Sequence, residues 1–213
     1  CIRTPKHWIS DEEIQSYLSQ YSKVTCTVVD VNTRPTVWGA IKSLFSSSSY
    51  HALRLNDLGL MKSMTQVLTN SQFDVIHLDG PFWLPYLKQI RRLSKARLVF
   101  RAHNVEHFIW KRLAQEAKNP LKKWYLNGQW PKIAKEESVM AQKVDWILPI
   151  STVDATWFKQ NSSTPQHLLE AGIPLQHYQL LNFSSSEKWC FLASFCSVGQ
   201  RRQIIRELLN GIK

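Results

Sequence analysis

No apolar run among the 213 residues approaches the ~20 needed to cross a bilayer, so the sequence predicts no transmembrane helix. The opening residues, CIRTPKHWISDEE, have no basic start, apolar core or small-residue cleavage site, which excludes a secretory leader in this stretch. They begin on Cys1 and read as the truncated start of a longer chain. The four cysteines (Cys1, Cys26, Cys190 and Cys196) form neither a C-x-x-C pair nor the framework of a small secreted domain, and no histidine cluster completes a metal site. No metal is expected, and the expected location is the reducing cytoplasm, with peripheral attachment to the inner membrane face left open. There is no G-x-G-x-x-G and no G-x-x-x-x-G-K-[ST], so neither a dinucleotide fingerprint nor a P-loop is present. Ser151 stands in LPISTV rather than in a G-x-S-x-G elbow, and a helix N-cap explains it better than a nucleophile.

What is present is a strong and uneven positive charge. The formal net charge is +11, and the stretch from Phe82 to Lys143 holds 14 Lys and Arg against Glu106, Glu116, Glu136 and Glu137, a local excess of +10. Such a field favours an anionic partner: phospholipid headgroups, a phosphorylated acceptor or nucleic acid. The plain alternative is a solvated basic face. A hydrophobic content of 44% is enough for one sizeable core.

Along the chain, Ser10 before Asp11, Glu12 and Glu13 predicts a capped helix, and the β-branched run Lys23 to Val31 predicts a buried strand. Helices are expected over Val37 to Phe45 and Asp57 to Leu68, separated by a serine loop. From residue 73 onward short apolar runs alternate with amphipathic segments. Strands are expected at 73–79, 97–103 and 144–150, and helices over Trp83 to Leu93, Phe108 to Lys143 (broken near Asn119-Pro120) and Thr152 to Lys159. This pattern predicts an α/β fold, a Rossmann-like parallel sheet with helices on both faces. HLLEAGIP reads as a short strand into a turn, WCFLASF as the opening strand of a new unit, and Gln203 to Leu209 as a helix.

In an open parallel sheet the ligand crevice lies where loops leave the carboxyl ends of the strands. Three loops qualify: Asp79-Gly80-Pro81, the stretch from Arg101 to His107, and the one starting at Ser151. The second is densest in reactive groups, with His103 beside Arg101, Asn104 and Glu106, a set able to bind hydroxyls and phosphate oxygens together. Glu106 has two readings, ligand contact or favourable charge at a helix start. His107 reads as structural or as a helix N-terminal contact. Trp110, Lys111, Arg112, Lys122, Lys123 and Trp124 interleave aromatics with cations, which suits the headgroup level of an anionic membrane. Equally, the tryptophans pack on the sheet while the lysines face water.

The run FDVIHLDGPFWLPYLKQIRRLSKARLVFRAHNVEHFIWKRLAQEAKNPLKKWYL, followed by VDWILPIS, DATWF and LLEAGIP, resembles the first domain of glycosyltransferase family 4, the group 1 glycosyltransferases. The resemblance is good from Phe73 to Pro174, weaker over Lys23 to Leu55 and poor after Trp189. It implies the N-terminal, acceptor-side half of a GT-B enzyme that transfers a sugar, with retention and without an essential metal. The nucleotide-sugar donor is then a co-substrate rather than a bound cofactor, and the acceptor is a glycan or lipid-linked. The resemblance assigns His103 the catalytic position reaching the donor sugar, beside substrate-binding Asp79, Gly80, Arg101, Asn104 and Glu106.

The sequence departs from the family in lacking its first strand and glycine-rich loop, and the second domain's glutamates separated by seven residues. The organisation expected is a partial first domain over 1–174, a linker at 175–188 and the start of a truncated or frameshifted second domain at 189–213. Such a fragment is expected to be inactive by itself. Two rivals stand beside this reading, a non-catalytic remnant that binds a glycan or partner, and a basic nucleic-acid-binding protein. The second lacks any nucleic-acid motif, so no nucleic-acid partner is expected.

Overall fold

The computed structural model describes residues 2–5, 8–19, 21–170 and the strand at 189–193. The expected linker at 175–188, the segment 194–213 with its helix at Gln203 to Leu209, and the end of LLEAGIP lie outside the described residues.

The chain begins with a two-residue strand, β1 (Ile2–Arg3), helix α1 (Asp11–Leu18) and strand β2 (Val29–Asp30), which pairs in parallel with β1. Helix α1 starts where the sequence placed it. The Ser10 hydroxyl accepts from the Glu13 N–H at 3.1 Å, and the Glu13 carboxylate accepts from the Ser10 N–H at 3.2 Å, a reciprocal capping box. The Arg3 guanidinium binds both carboxylate oxygens of Asp30 (2.5 and 2.9 Å) and one of Asp11 (2.7 Å), tying the three elements together. The buried strand expected over Lys23 to Val31 is corrected: only Val29 and Asp30 pair, and residues 23–28 run half-exposed. β-Branched residues favour extended backbone, but a partner of two residues supports a ladder of two.

Helices α2 (Val37–Phe45), α3 (Tyr50–Leu55) and α4 (Leu58–Asn70) follow. The serine run hid α3, because its last member, Ser49, serves as an N-cap and accepts from the Ala52 N–H at 3.1 Å. The main sheet then builds from β3 (Val75–Asp79), a 3₁₀ helix (Pro81–Tyr86), α5 (Leu87–Leu93), β4 (Arg97–Ala102), α6 (Glu106–Glu116), α7 (Pro120–Lys143), β5 (Trp146–Pro149), α8 (Thr152–Asn161) and β6 (Trp189–Ala193). The helix expected over Trp83 to Leu93 is thus two elements. Pro85 cannot donate the α-helical bond back to the preceding turn, so the first part winds as 3₁₀. Asn119 accepts from the Lys122 N–H at 3.1 Å and starts α7 with Pro120 in its first turn, which separates α6 from α7 as predicted.

All pairings in the main sheet are parallel, in the order β5-β4-β3-β6. The protein is therefore α/β, with parallel strands in two small sheets. Trp189–Ala193, expected to open a separate unit, is a strand and lies in register against β3, with Ala193 opposite Asp79. The HLLEAGIP segment starts as expected in extended form along β5, where the His167 and Leu169 N–H groups donate to the carbonyls of Ile147 and Pro149 at 3.0 and 2.9 Å.

Strand register sorts the side chains into two faces. Ile76, Leu78, Leu98, Phe100 and Ile147 share one face, are fully buried, and form the core with Met64, Ile90, Met140 and Phe158. His77, Asp79 and Arg101 alternate onto the other, where the sheet's carboxyl end becomes buried but polar. No helix among the described residues is long and apolar enough to cross a membrane.

Tyr86 connects this core to the α3–α4 junction. Its fully buried hydroxyl donates to the Leu55 carbonyl at 2.5 Å and accepts from the Asp57 N–H at 2.8 Å. Tyr86→Phe should lower stability by about 1 kcal/mol, because both backbone groups lose the buried hydroxyl and keep only their own contact, the Asp57 N–H on the Leu55 carbonyl at 3.1 Å. Urea unfolding followed by circular dichroism measures the change, and an unchanged midpoint would remove this link from the account.

Candidate functional site

The ends of β3 and β4 bring the first two predicted loops together. Asp79 is the last residue of β3 and His103 follows β4, and the two side chains pair through His103 Nε2 and Asp79 Oδ1. The Asp79 side chain is 7% exposed and the His103 side chain 30%, so a buried carboxylate orients a ring that solvent reaches. Nε2 faces the carboxylate and donates to it, which leaves Nδ1 as the ring nitrogen turned to a ligand. Gly80 turns the chain away immediately after Asp79 with φ of +90°, a conformation that favours glycine, and its N–H donates to the Arg101 carbonyl at 3.0 Å.

The remaining predicted residues divide. Arg101 is buried at 4% exposure and its guanidinium donates to the carbonyls of Leu148 and Leu169, so it braces the sheet edge against the segment after α8. Asn104 is exposed beside His103. Glu106 opens α6 and is half-buried; burial above all, then the neighbouring Glu137 carboxylate, pushes its carboxyl up to about 7. Ser151 is the N-cap of α8, accepting from the Asp154 N–H at 3.1 Å.

Two acidic residues from distant helices hold the His103 loop. Glu137 is fully buried and accepts from the Glu106 N–H (2.6 Å), the His107 N–H (3.1 Å) and His107 Nδ1 (2.7 Å). Helix α6 has no side-chain cap of its own, so a carboxylate of α7 takes over that task. Asp154 of α8 accepts from the Val105 N–H at 3.0 Å, one residue before the helix. His107 is thereby placed as structural. Glu137 was missed in the sequence, although Ile133, Glu137, Met140 and Ala141 share one helical face and would have put this carboxylate inside.

Beyond Glu106 lies a small cavity of about 20 Å³, lined among others by Ser49, His51, Phe82, Glu106, Trp110 and Glu136. His51 stacks on Phe82 at 4.5 Å, and burial lowers its imidazole to about 4, leaving it neutral at physiological pH. Glu136 accepts from the Ser49 N–H and hydroxyl at 2.7 and 2.5 Å, and burial raises its carboxyl. A larger surface cleft of about 400 Å³ between α3, the 3₁₀ helix and α7 touches neither Asp79 nor His103. The candidate site is assigned to the strand ends, where the oriented histidine is, and not to the larger space.

The six residues of the expected membrane patch separate. Trp110 turns inward, edge-on to His51 at 6.2 Å, whereas Lys111, which lies over the Trp130 ring at 5.2 Å, Arg112, Lys122, Lys123 and Trp124 are exposed. No group of three or more His, Cys, Asp or Glu suited to a metal occurs among the described residues.

Glu137→Ala should destabilise the protein by about 3 kcal/mol, since it strands three donors, two of them buried, and equilibrium urea unfolding measures this. Glu106 gives a test of opposite sign. Its folded pKa of about 7 lies above the unfolded 4.5, so the folded state holds the extra proton between those values and stability falls as pH rises through that window. Glu106→Gln should therefore gain on the order of 1–3 kcal/mol at pH 8 and little below pH 4.5, and no difference between the two pH values would contradict the assigned burial. Compared with known proteins, the chain matches no family model and no curated protein.

Proposed function

We propose that this chain is the acceptor-side part of a GT-B glycosyltransferase, a Rossmann-like domain serving transfer of a sugar from a nucleotide donor to a glycan or lipid-linked acceptor. The observation that carries the reading is the Asp79–His103 pair, set at the carboxyl ends of two adjacent parallel strands beside the tight Gly80 turn. Crevices at that end of parallel sheets are where α/β proteins hold ligands. An imidazole oriented by a buried carboxylate presents Nδ1 to a sugar hydroxyl. The exposed Asn104 offers an amide beside it for a second hydroxyl or a phosphate oxygen.

In this reading His103 positions the donor sugar, Asp79 holds the ring, and Glu106 presents a carboxyl that is protonated in part at neutral pH and so both donates and accepts. Developing charge on the leaving diphosphate is met by basic groups supplied partly by a second domain.

Saturation-transfer NMR of the 213-residue chain against a panel of nucleoside-diphosphate sugars tests the proposal. The expected result is transfer to sugar-ring protons for at least one donor, weakened about tenfold in affinity by His103→Ala, the loss of one hydrogen bond to the sugar. Transfer that survives unchanged in both His103→Ala and Asp79→Asn, or no transfer with any donor, would overturn it.

A further inference from the structure

Helix α2 is amphipathic in the inverse sense. Val37, Trp38, Ile41 and Phe45 fall on one stripe and are 78%, 81%, 40% and 90% exposed, while Ser43 on the opposite stripe is fully buried. The inward side is held by polar bonds to α7. The Ser43 hydroxyl meets the Tyr125 hydroxyl at 3.2 Å and accepts from Gln129 Nε2 at 3.1 Å. Lys132 Nζ donates to the carbonyls of Ser43, Leu44 and Ser46 at 2.6, 3.3 and 2.6 Å, which caps the helix C-terminus with a cation. Polar contacts thus fasten α2 to the protein and direct its apolar stripe outward. A soluble surface helix has the reverse arrangement.

The first turns of α7 extend this surface. Leu121 and Trp124 are 76% and 64% exposed and share a stripe with Gly128, where an added Cβ would meet the Leu44 side chain of α2 at 3.9 Å. The charges around the patch have one sign. Arg34, Lys42, Lys118, Lys122 and Lys123 are exposed, and no Asp or Glu occurs anywhere in 31–56 or 117–135. Two tryptophans and a phenylalanine on two segments that carry cations and no acid match the headgroup and upper acyl region of an anionic bilayer.

We propose that the outer face of α2, together with Leu121 and Trp124, docks the protein in the plane of an anionic phospholipid membrane. The helix lies along the interface, with Trp38 and Phe45 entering the acyl boundary and the lysines of α7 engaging headgroup phosphates. This inference rests on the α2–α7 surface alone and stands or falls independently of the glycosyl-transfer reading.

Co-sedimentation of the full chain with phosphatidylcholine vesicles and with mixed phosphatidylcholine–phosphatidylglycerol vesicles decides it. Binding is expected to the mixed vesicles only and to weaken as salt is raised. Trp38→Ser combined with Phe45→Ser should reduce it at least about tenfold, since both side chains leave the acyl boundary. Lys122→Glu with Lys123→Glu should reduce it to a similar degree. All four positions are exposed, so the variants should keep the wild-type circular dichroism spectrum. Quenching of tryptophan fluorescence by brominated phospholipid should fall in Trp38→Phe. Absence of binding to any vesicle, binding that ignores the Trp38 and Phe45 substitutions, or a self-association that those substitutions abolish and vesicles do not affect would each overturn the proposal.

Discussion

The buried carboxylate of Glu137 is the constraint on which the arrangement of the site depends. A charge-bearing group removed from water must find donors, and this one finds three on the first two residues of α6. In doing so it replaces the missing N-cap of that helix and sets where α6 begins. The loop from β4 to α6 is only three residues long, so fixing its far end also fixes His103 near its start. Asp79 then completes the alignment from the neighbouring strand. The geometry of the site is thus supplied by α7 and by the sheet, and the loop itself contributes little.

That dependence explains what was legible in the sequence and what was not. Short apolar runs located β3, β4 and β5, and helical patterns located α4 and α8, because burial in a sheet or on one helix face leaves its mark on hydrophobic spacing. A cap located the start of α1, because Ser10 acts on a residue three positions away, and Pro120 located the start of α7, because proline breaks one helix and suits the first turn of the next. The strand-end rule brought Asp79 and His103 into one expectation, and the structure places them in contact. Arg101 went otherwise. As a strand residue facing the polar side of the sheet it is drawn inward to backbone carbonyls. Nothing in the local sequence distinguishes that from a phosphate contact. Glu137, His51 and the α2 surface were missed because their partners lie at a sequence distance: Glu137 acts on residues 30 and 31 positions earlier, and Ser43 on α7 residues 82 and 86 positions later.

Helix α7 joins these parts into one frame. Within a single element it carries Tyr125, Gln129 and Lys132 against α2, Glu136 against Ser49, and Glu137 against α6. Each attachment is polar and buried or partly buried, which makes the helix less tolerant of substitution than its lysine-rich composition suggests. Lys132 apart, the basic residues of α7 are exposed, while its acids are concentrated where the protein folds upon itself.

The position of β6 has a topological consequence. A strand parallel to β3, with Ala193 level with Asp79, delivers the chain to the same end of the sheet as Gly80 and His103. Asp79 is therefore flanked on both sides by parallel strand ends, Arg101 of β4 and Ala193 of β6, so the carboxylate that orients the histidine sits in the interior of the sheet rather than at its edge.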